Sequence, residues 1–384
     1  MHQHASQPNS LTGKTLQPAT FTTQLAEVHQ LIQAINPNRY AKTRNFLNGE
    51  VTYLSPYISR GAVQLTEVAD AVLSKFKWYE CEKLIQELAW REFFQRVWQS
   101  KGQQIENDLK QEQQQVLHYK MPEAISQAAT QIDGLDAAIA NLYQTGYMHN
   151  HARMYTAMLA CNVAKAHWKM PAQWMYYHLL DGDLASNHLS WQWVAGSFSS
   201  KKYYANQENI SKYTGSNQYK GYLAKSYEEI AEMPVPDVLQ AKHIPTLTTS
   251  LPTTPNPSFV EADLLVYNSY NLDAAWHSHE NVNRVLLLEP SHFENYPVSA
   301  QVLDFIIQLG TDNINQLQVF VGSFTELKKL YHQAVPQGTM VFKEHPLASH
   351  YQGKQESRTW LVPEVTGYFP SFFGFWKKCE RYFK

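Results

Sequence analysis

The chain predicts two regions of different class: a mostly α-helical domain followed by a small α/β domain with a parallel sheet. Three observations carry this. From residue 21 to about 195 apolar residues recur at spacings of three and four. Residues 232–258 hold six of the eighteen prolines, which disfavours helix and central strand alike. Beyond that point short β-rich runs alternate with helix-patterned ones, the signature of parallel strands joined by crossover helices. At 384 residues, 44% hydrophobic and 13% aromatic, the chain has the length and composition to bury substantial cores.

Residues 1–20 are rich in Gln, Ser, Thr and His without periodicity, which reads as a mobile tail. FTTQLAEVHQLIQAI, LTEVADAVLSKF, CEKLIQELAWREFFQRVW, LDAAIANLYQTG and HARMYTAMLACNVAKAHW each predict a helix. Residues 196–225, polar with interleaved Tyr and Lys, predict a long surface loop. The helical domain is thus expected over 21–231, a Pro/Thr-rich linker over 232–258 and the α/β domain over 259–384. In the last, ADLLVYNSY, NRVLLLEP, LQVFVGS and MVFKEHP predict strands, and VSAQVLDFIIQLG and FTELKKLYHQA predict helices.

Composition also excludes function classes. A net charge of −2 argues against a strongly basic nucleic-acid binder, so any DNA contact must be local. Cys81, Cys161 and Cys379 lack CxxC spacing, and the pairs His2/His4, His149/His151 and His277/His279 lack a third ligand, so no metal is expected. No apolar run is long enough to span a bilayer and the first residues lack a signal peptide's apolar stretch, so a cytoplasmic protein is expected; the oligomeric state is left open, with a monomer as the default. Phosphate-loop and GxGxxG motifs are absent.

HLLDGDLASNHLSWQWVAG, residues 178–196, is the least ordinary stretch. Asp183, Asn187 and Trp191 fall at intervals of four on one helical face, and Asp181 stands where it could cap the helix. Capping explains one aspartate; a polar stripe in an apolar helix needs partners, because unsatisfied buried carboxylates and amides are costly. Arg91 and Arg153 are candidates. In LIQELAWREFF, Glu87 and Arg91 share a helical face with Trp90, as a charge pair within a site or as a surface salt bridge beside a core tryptophan. Asn150 and Arg153 lie together on an otherwise apolar helix, where a capping asparagine and a snorkelling arginine are the plainer reading. An aromatic ligand with N–H and C=O edges would suit an acid, an amide and an arginine converging among indoles, and flavin is the natural candidate.

VTYLSPYISRG (51–61), ELAWREFF (87–94), GYMHNHARM (146–154) and DGDLASNHLSWQW (181–193) together resemble, in order and spacing, the FAD-binding helical domain of the photolyase/cryptochrome family over roughly residues 38–215. The resemblance implies FAD as cofactor. Tyr40, Thr52 and Ser55 would lie at its phosphates, Val51 standing where the family often has threonine. Arg91 would face the cofactor, Arg153 and Asp181 would form an ion pair beside the flavin ring, Asp183 would meet its polar edge, and Asn187 would lie near N5. Glu87, Trp90, Asn150, Met154 and Trp193 match positions lining the family's cavity for a flipped-out pyrimidine dimer, while His151 replaces a commonly basic arginine at its mouth. Trp191 and Trp168 fit the two inner members of the family's electron-transfer chain. The outer one is missing from QVLHY (115–119), with Tyr119 or Trp174 as substitutes.

The implied function is light-driven repair of pyrimidine dimers in DNA by electron transfer from excited FADH⁻, a photolyase-type lyase activity. The alternative is a cryptochrome-like blue-light receptor signalling through a partner protein. The family's usual α/β antenna domain precedes the FAD domain; here DLLVYNSYNLD (263–273) resembles its opening strand, so the C-terminal unit is expected to be a relocated equivalent, with no antenna-chromophore residues carried over.

Overall fold

The structure, a computed structural model, describes residues 20–384. All but Thr20 of the expected tail, and with it the His2/His4 pair, lies outside the described residues.

The helical part begins with α1 (Leu25–Gln33), α2 (Pro37–Thr43), α3 (Ser55–Ser59), α4 (Leu65–Leu73) and the 24-residue α5 (Trp78–Lys101). After the short strand β1 (Met121–Pro122) come α6 (Glu123–Ser126), α7 (Asp133–Thr145) and α8 (Asn150–Met158), which runs into a π-helical turn, Leu159–Val163. Then follow α9 (Lys169–His178), α10 (Leu184–Ala195), α11 (Gln207–Thr214) and α12 (Tyr227–Glu232). The loop expected over 196–225 therefore contains a helix. Asn206 caps α11 by accepting the Asn209 N–H, and Ile210 packs inward, a stop-start pattern too short to read in a polar stretch. The proline-rich segment is likewise not all linker: β2 (Lys242–His243) pairs antiparallel with β1 and ties it to the helical part.

The α/β part contains β3 (Leu264–Tyr267), β4 (Asn283–Leu288), α13 (Pro290–Asn295), α14 (Ala300–Asn313), β5 (Gln318–Val321), α15 (Phe324–Ala334), β6 (Met340–Lys343), β7 (Lys354–Glu356) and α16 (Phe372–Cys379). The expected parallel sheet is present: five strands in the order β5-β4-β3-β6-β7, every pairing parallel. Successive residues alternate between its faces. Leu265, Tyr267, Leu286 and Leu288 join one core with α14; Leu264, Val266, Val285 and Leu287 join another with α15.

That first core does not stop at the linker. It runs from α1, α4 and α5 through α14 and the sheet face to Phe372, Phe375 and Trp376 of α16. The last segment thus returns to the helical part, a packing the sequence reading did not contain. Phe372 stacks on Trp90 at 3.7 Å between centroids, and Arg96 donates to the Val362 carbonyl while pairing with buried Glu92. A further core occupies the other half of the helical part, around α7, α8 and α9. Helix α10 is wedged between the two: Leu184, Ala185 and Leu189 belong to the first, Trp191, Val194 and Ala195 to the other. With apolar residues needed on two sides, its polar residues are confined to the remaining stripe.

Candidate functional site

A cavity of about 430 Å³ opens where α10, α8, α5 and the 40–59 segment meet. Among the residues singled out above, Tyr40, Val51, Thr52, Ser55, Glu87, Trp90, Arg91, Asn150, His151, Arg153, Met154, Asp181 and Trp193 line it. Asp183, Asn187 and Trp191 line an adjoining recess of about 100 Å³ that shares Asn150, Arg153, Met154 and Asp181 with it. Trp168 lies in neither. It is fully buried behind them, its Nε1–H donating to Asp108 at 2.6 Å and its ring edge-on to His188.

Local backbone geometry sets these positions. Tyr53 holds φ near 53°, a conformation unfavourable for a non-glycine residue, and so turns the chain between Thr52 and Ser55. Gly146 ends α7 in the left-handed region (φ 70°), where an added Cβ would meet Leu180 Cγ at 2.5 Å, and its carbonyl accepts the Leu180 N–H. This contact brings the 147–154 and 181–193 stretches together.

The charges are paired in a pattern that corrects two expectations. Arg153 Nη2 donates to both Asp181 oxygens at 3.0 and 2.8 Å, so Asp181 is held by the arginine and does not cap α10. Asp183 is the cap, accepting the Ser186 N–H at 2.6 Å. Glu87 and Arg91 do not pair with each other either. Glu87 lies 3.4 Å from Arg44 Nε, whereas Arg91 Nη1 donates to Asp183 at 3.0 Å, alongside Gln95 at 2.6 Å. Two helix positions one turn apart are neighbours, but each finds a stronger partner across a helix interface. The plainer reading of Asn150 as a cap also fails: His149 holds that place, its Nδ1 accepting the His151 N–H.

Burial opposes ionisation of Asp183, but the Arg91 guanidinium and the Ser186 N–H outweigh it and hold the carboxyl below its ordinary value. Glu87 shows the opposite balance. With 37% of its side chain open toward the cavity and protein around the rest, burial raises its carboxyl and Arg44 only partly offsets this.

Several lining residues were not anticipated: Arg44, Tyr53, Tyr147, His149, Ser186 and Ser190. The His149 signal lay in HNH, read as a possible metal pair. Burial, with His151 and Arg153 nearby, pushes its pKa down to about 4, so the ring is neutral at pH 7. Since Nδ1 accepts a hydrogen bond, Nε2 carries the proton. That Nε2 and the Ser186 hydroxyl are buried and have no partner among the described residues. Two orphaned polar atoms, an arginine–carboxylate pair and aromatic walls form a cavity suited to a polar heterocycle, and hydroxyls at 52 and 55 suit a phosphate-bearing tail. The residues present therefore fit FAD.

Beyond the cavity, Trp168 contacts His167 at 5.6 Å between centroids, and His167 stacks on Tyr119 at 5.1 Å. Tyr119 is 69% exposed, whereas Trp174 is buried with its Nε1–H on the Tyr143 hydroxyl. Among the described residues no cluster of three His, Cys, Asp or Glu could hold a metal, and no helix is long and apolar enough to cross a membrane.

Comparison with known proteins gives a consistent result. Residues 84–254 match the family model for the FAD binding domain of DNA photolyase. The chain is 33% identical over 170 residues to a deoxyribodipyrimidine photo-lyase of Synechococcus sp., covering 41% of this chain and 35% of that protein. It is 30% identical over 221 residues to a cryptochrome DASH of Ostreococcus tauri, covering 54% and 39%. Among solved structures it is similar to a class III photolyase from Agrobacterium tumefaciens (24% identity, 50% of this chain and 42% of that one, TM-score 0.44). It also resembles a Synechocystis cryptochrome (23%, 56% and 47%, TM-score 0.45). The chain spans little more than a third of the length of these curated relatives.

Proposed function

The helical part of this chain belongs to the photolyase/cryptochrome family, and from that premise we propose that the protein holds FAD in the cavity and repairs pyrimidine dimers in DNA under blue light. The observation that carries the repair reading is that Glu87, Trp90, Asn150, Met154 and Trp193 line the same cavity as the cofactor-side residues. Bound in its reduced form and excited by blue light, FAD would supply the one-electron reductant that opens the cyclobutane ring, with no net redox change.

The protein's residues do the rest. Arg153 with Asp181 and Arg91 with Asp183 present fixed charges in a partly water-excluded wall, so little reorganisation is needed as charge moves. Thr52 and Ser55 offer hydroxyls to the phosphates. Trp193, 38% exposed, and half-buried Trp90 offer stacking surfaces to an extruded pyrimidine dimer. Glu87, whose carboxyl burial raises above its ordinary value while Arg44 partly offsets this, stands at the cavity wall where it can hydrogen-bond to an oxygen or nitrogen of the lesion. For recharging, Trp191 and Trp168 conduct inward, and the Trp168–His167–Tyr119 stack supports Tyr119 as the surface end.

One observation favours the signalling alternative. The basic rim that a DNA duplex wants is thin: Lys202 is turned onto the Gln114 carbonyl, Arg44 is paired with Glu87, and burial, with Arg44 near, keeps His151 neutral by lowering its pKa.

The test is to purify the protein, record its flavin spectrum, and illuminate it with reductant and thymine-dimer DNA. Repaired dimers and a stoichiometric flavin are expected; intact dimers with fully reduced flavin would sink the repair reading and leave the cofactor reading standing.

A further inference from the structure

A second, smaller cavity of about 60 Å³ lies between α5, the ends of β3 and β6, and residues 358–360. Three of the side-chain nitrogens around it are buried and have no partner among the described residues: Arg358 Nη1, His345 Nε2 and Asn271 Nδ2. His345 and Asn271 are only 6% and 7% exposed. A buried unpaired donor leaves its desolvation penalty uncompensated, and three around one small volume require a shared acceptor.

All three atoms are donors. His345 Nδ1 accepts the Leu347 N–H at 3.3 Å, which puts the proton on Nε2. Gln95 fixes Arg358: its Oε1 accepts from Nη2 at 2.8 Å, leaving Nη1 free, while its Nε2 donates to Asp183. The neighbouring charges are mostly spent on one another. Arg91 pairs with Asp183, Lys343 with Asp273, and Glu92 with Arg96 and the N–H groups of Leu361 and Val362. Glu344, the remaining acid on the lining, accepts from Trp360 Nε1 at 3.3 Å and is not within ion-pair distance of Arg358. Arg358 is thus a buried guanidinium without a carboxylate in contact; burial pulls its pKa down to about 10, which still leaves it charged at neutral pH.

From this donor set we propose that the cavity binds a small tetrahedral oxyanion of the size of phosphate or sulfate, clamped by Arg358, His345 and Asn271. An acceptor with several oxygens satisfies all three donors at once and neutralises the guanidinium, which a single water does not. The volume fits a five-atom ion and is far below the roughly 300 Å³ at which small-molecule pockets begin. The site is separate from the cofactor cavity, with Arg91 in the wall between them.

The experiment measures the thermal midpoint of the flavin-loaded protein against sodium phosphate, and in parallel sodium sulfate, at constant ionic strength. A saturable rise is expected in wild type. Loss of one charge-assisted hydrogen bond predicts a weakening of apparent affinity by about tenfold or more in Arg358→Gln. Asn271→Ala, which keeps every charge, should weaken it in the same direction and serves if Arg358→Gln does not fold. No saturable response in wild type, or one unchanged by both substitutions, overturns the proposal. A response that Ser55→Ala removes and Arg358→Gln leaves intact also overturns it, by placing the ion at the cofactor's phosphates.

Discussion

At the scale of single residues, the cavity depends on how burial and partners divide a few carboxylates. Glu87 is raised by burial and so holds its proton above the ordinary glutamate range. If the protonated form supports repair, the rate should fall as pH rises through that raised value. Glu87→Ala should lack this limb and lose at least about tenfold in repair, with flavin content unchanged in the absorption spectrum. Asp108 behaves in the opposite sense. Burial opposes its charge, but hydrogen bonds from His167, the Gln113 N–H and Trp168 Nε1 outweigh it and hold the pKa at about 2. The stability it contributes is complete above the unfolded value of 3.8 and disappears as pH falls toward 2. Asp108→Asn should therefore flatten the acid limb of urea-midpoint against pH, and lower stability at pH 7 by about 1.5–3 kcal/mol. The residue types of the site were legible in the sequence because acids, amides and arginines stand out in apolar helices. Their pairing was not: spacing placed Glu87 beside Arg91, and only the packing of α2 and α10 against α5 brought Arg44 to one and Asp183 to the other.

Among the elements, α10 shows how local pattern and tertiary demand divide the work. Its start and end follow from Asp183 and Gly196, the latter at φ 84°. The α7–α8 junction is the more sensitive joint. Gly146→Ala would add strain at positive φ and a clash with Leu180, costing about 1–3 kcal/mol; a urea titration should show this loss, and flavin should be retained less tightly because the 147–154 wall shifts. Helix α16 is the element that pattern reading left out. Phe372→Ala should uncover a face of Trp90, giving a red-shifted tryptophan emission and a loss of about 3 kcal/mol or more. A short aromatic run after a polar stretch says that something is buried, and not against what.

At the scale of the whole molecule, the core shared by α1, α4, α5, α14, the sheet face and α16 joins the two parts across the proline-rich segment. A chain whose two parts share a core should unfold by heat in a single transition, seen alike by flavin release and far-ultraviolet circular dichroism; two separated transitions would show that the α/β unit stands alone. The sequence by itself determined the classes of both parts, the four longer strands of the sheet, and many of the residues that line the cavity, because hydrophobic period, proline placement and motif order are local properties of the chain. Only the tertiary structure decided which carboxylate each arginine holds, which aspartate caps α10, that α16 closes over Trp90, and that the unpaired donors of Arg358, His345 and Asn271 surround one small cavity. These are contacts between residues tens to hundreds of positions apart, fixed by how helices and sheet pack, and no local pattern encodes them.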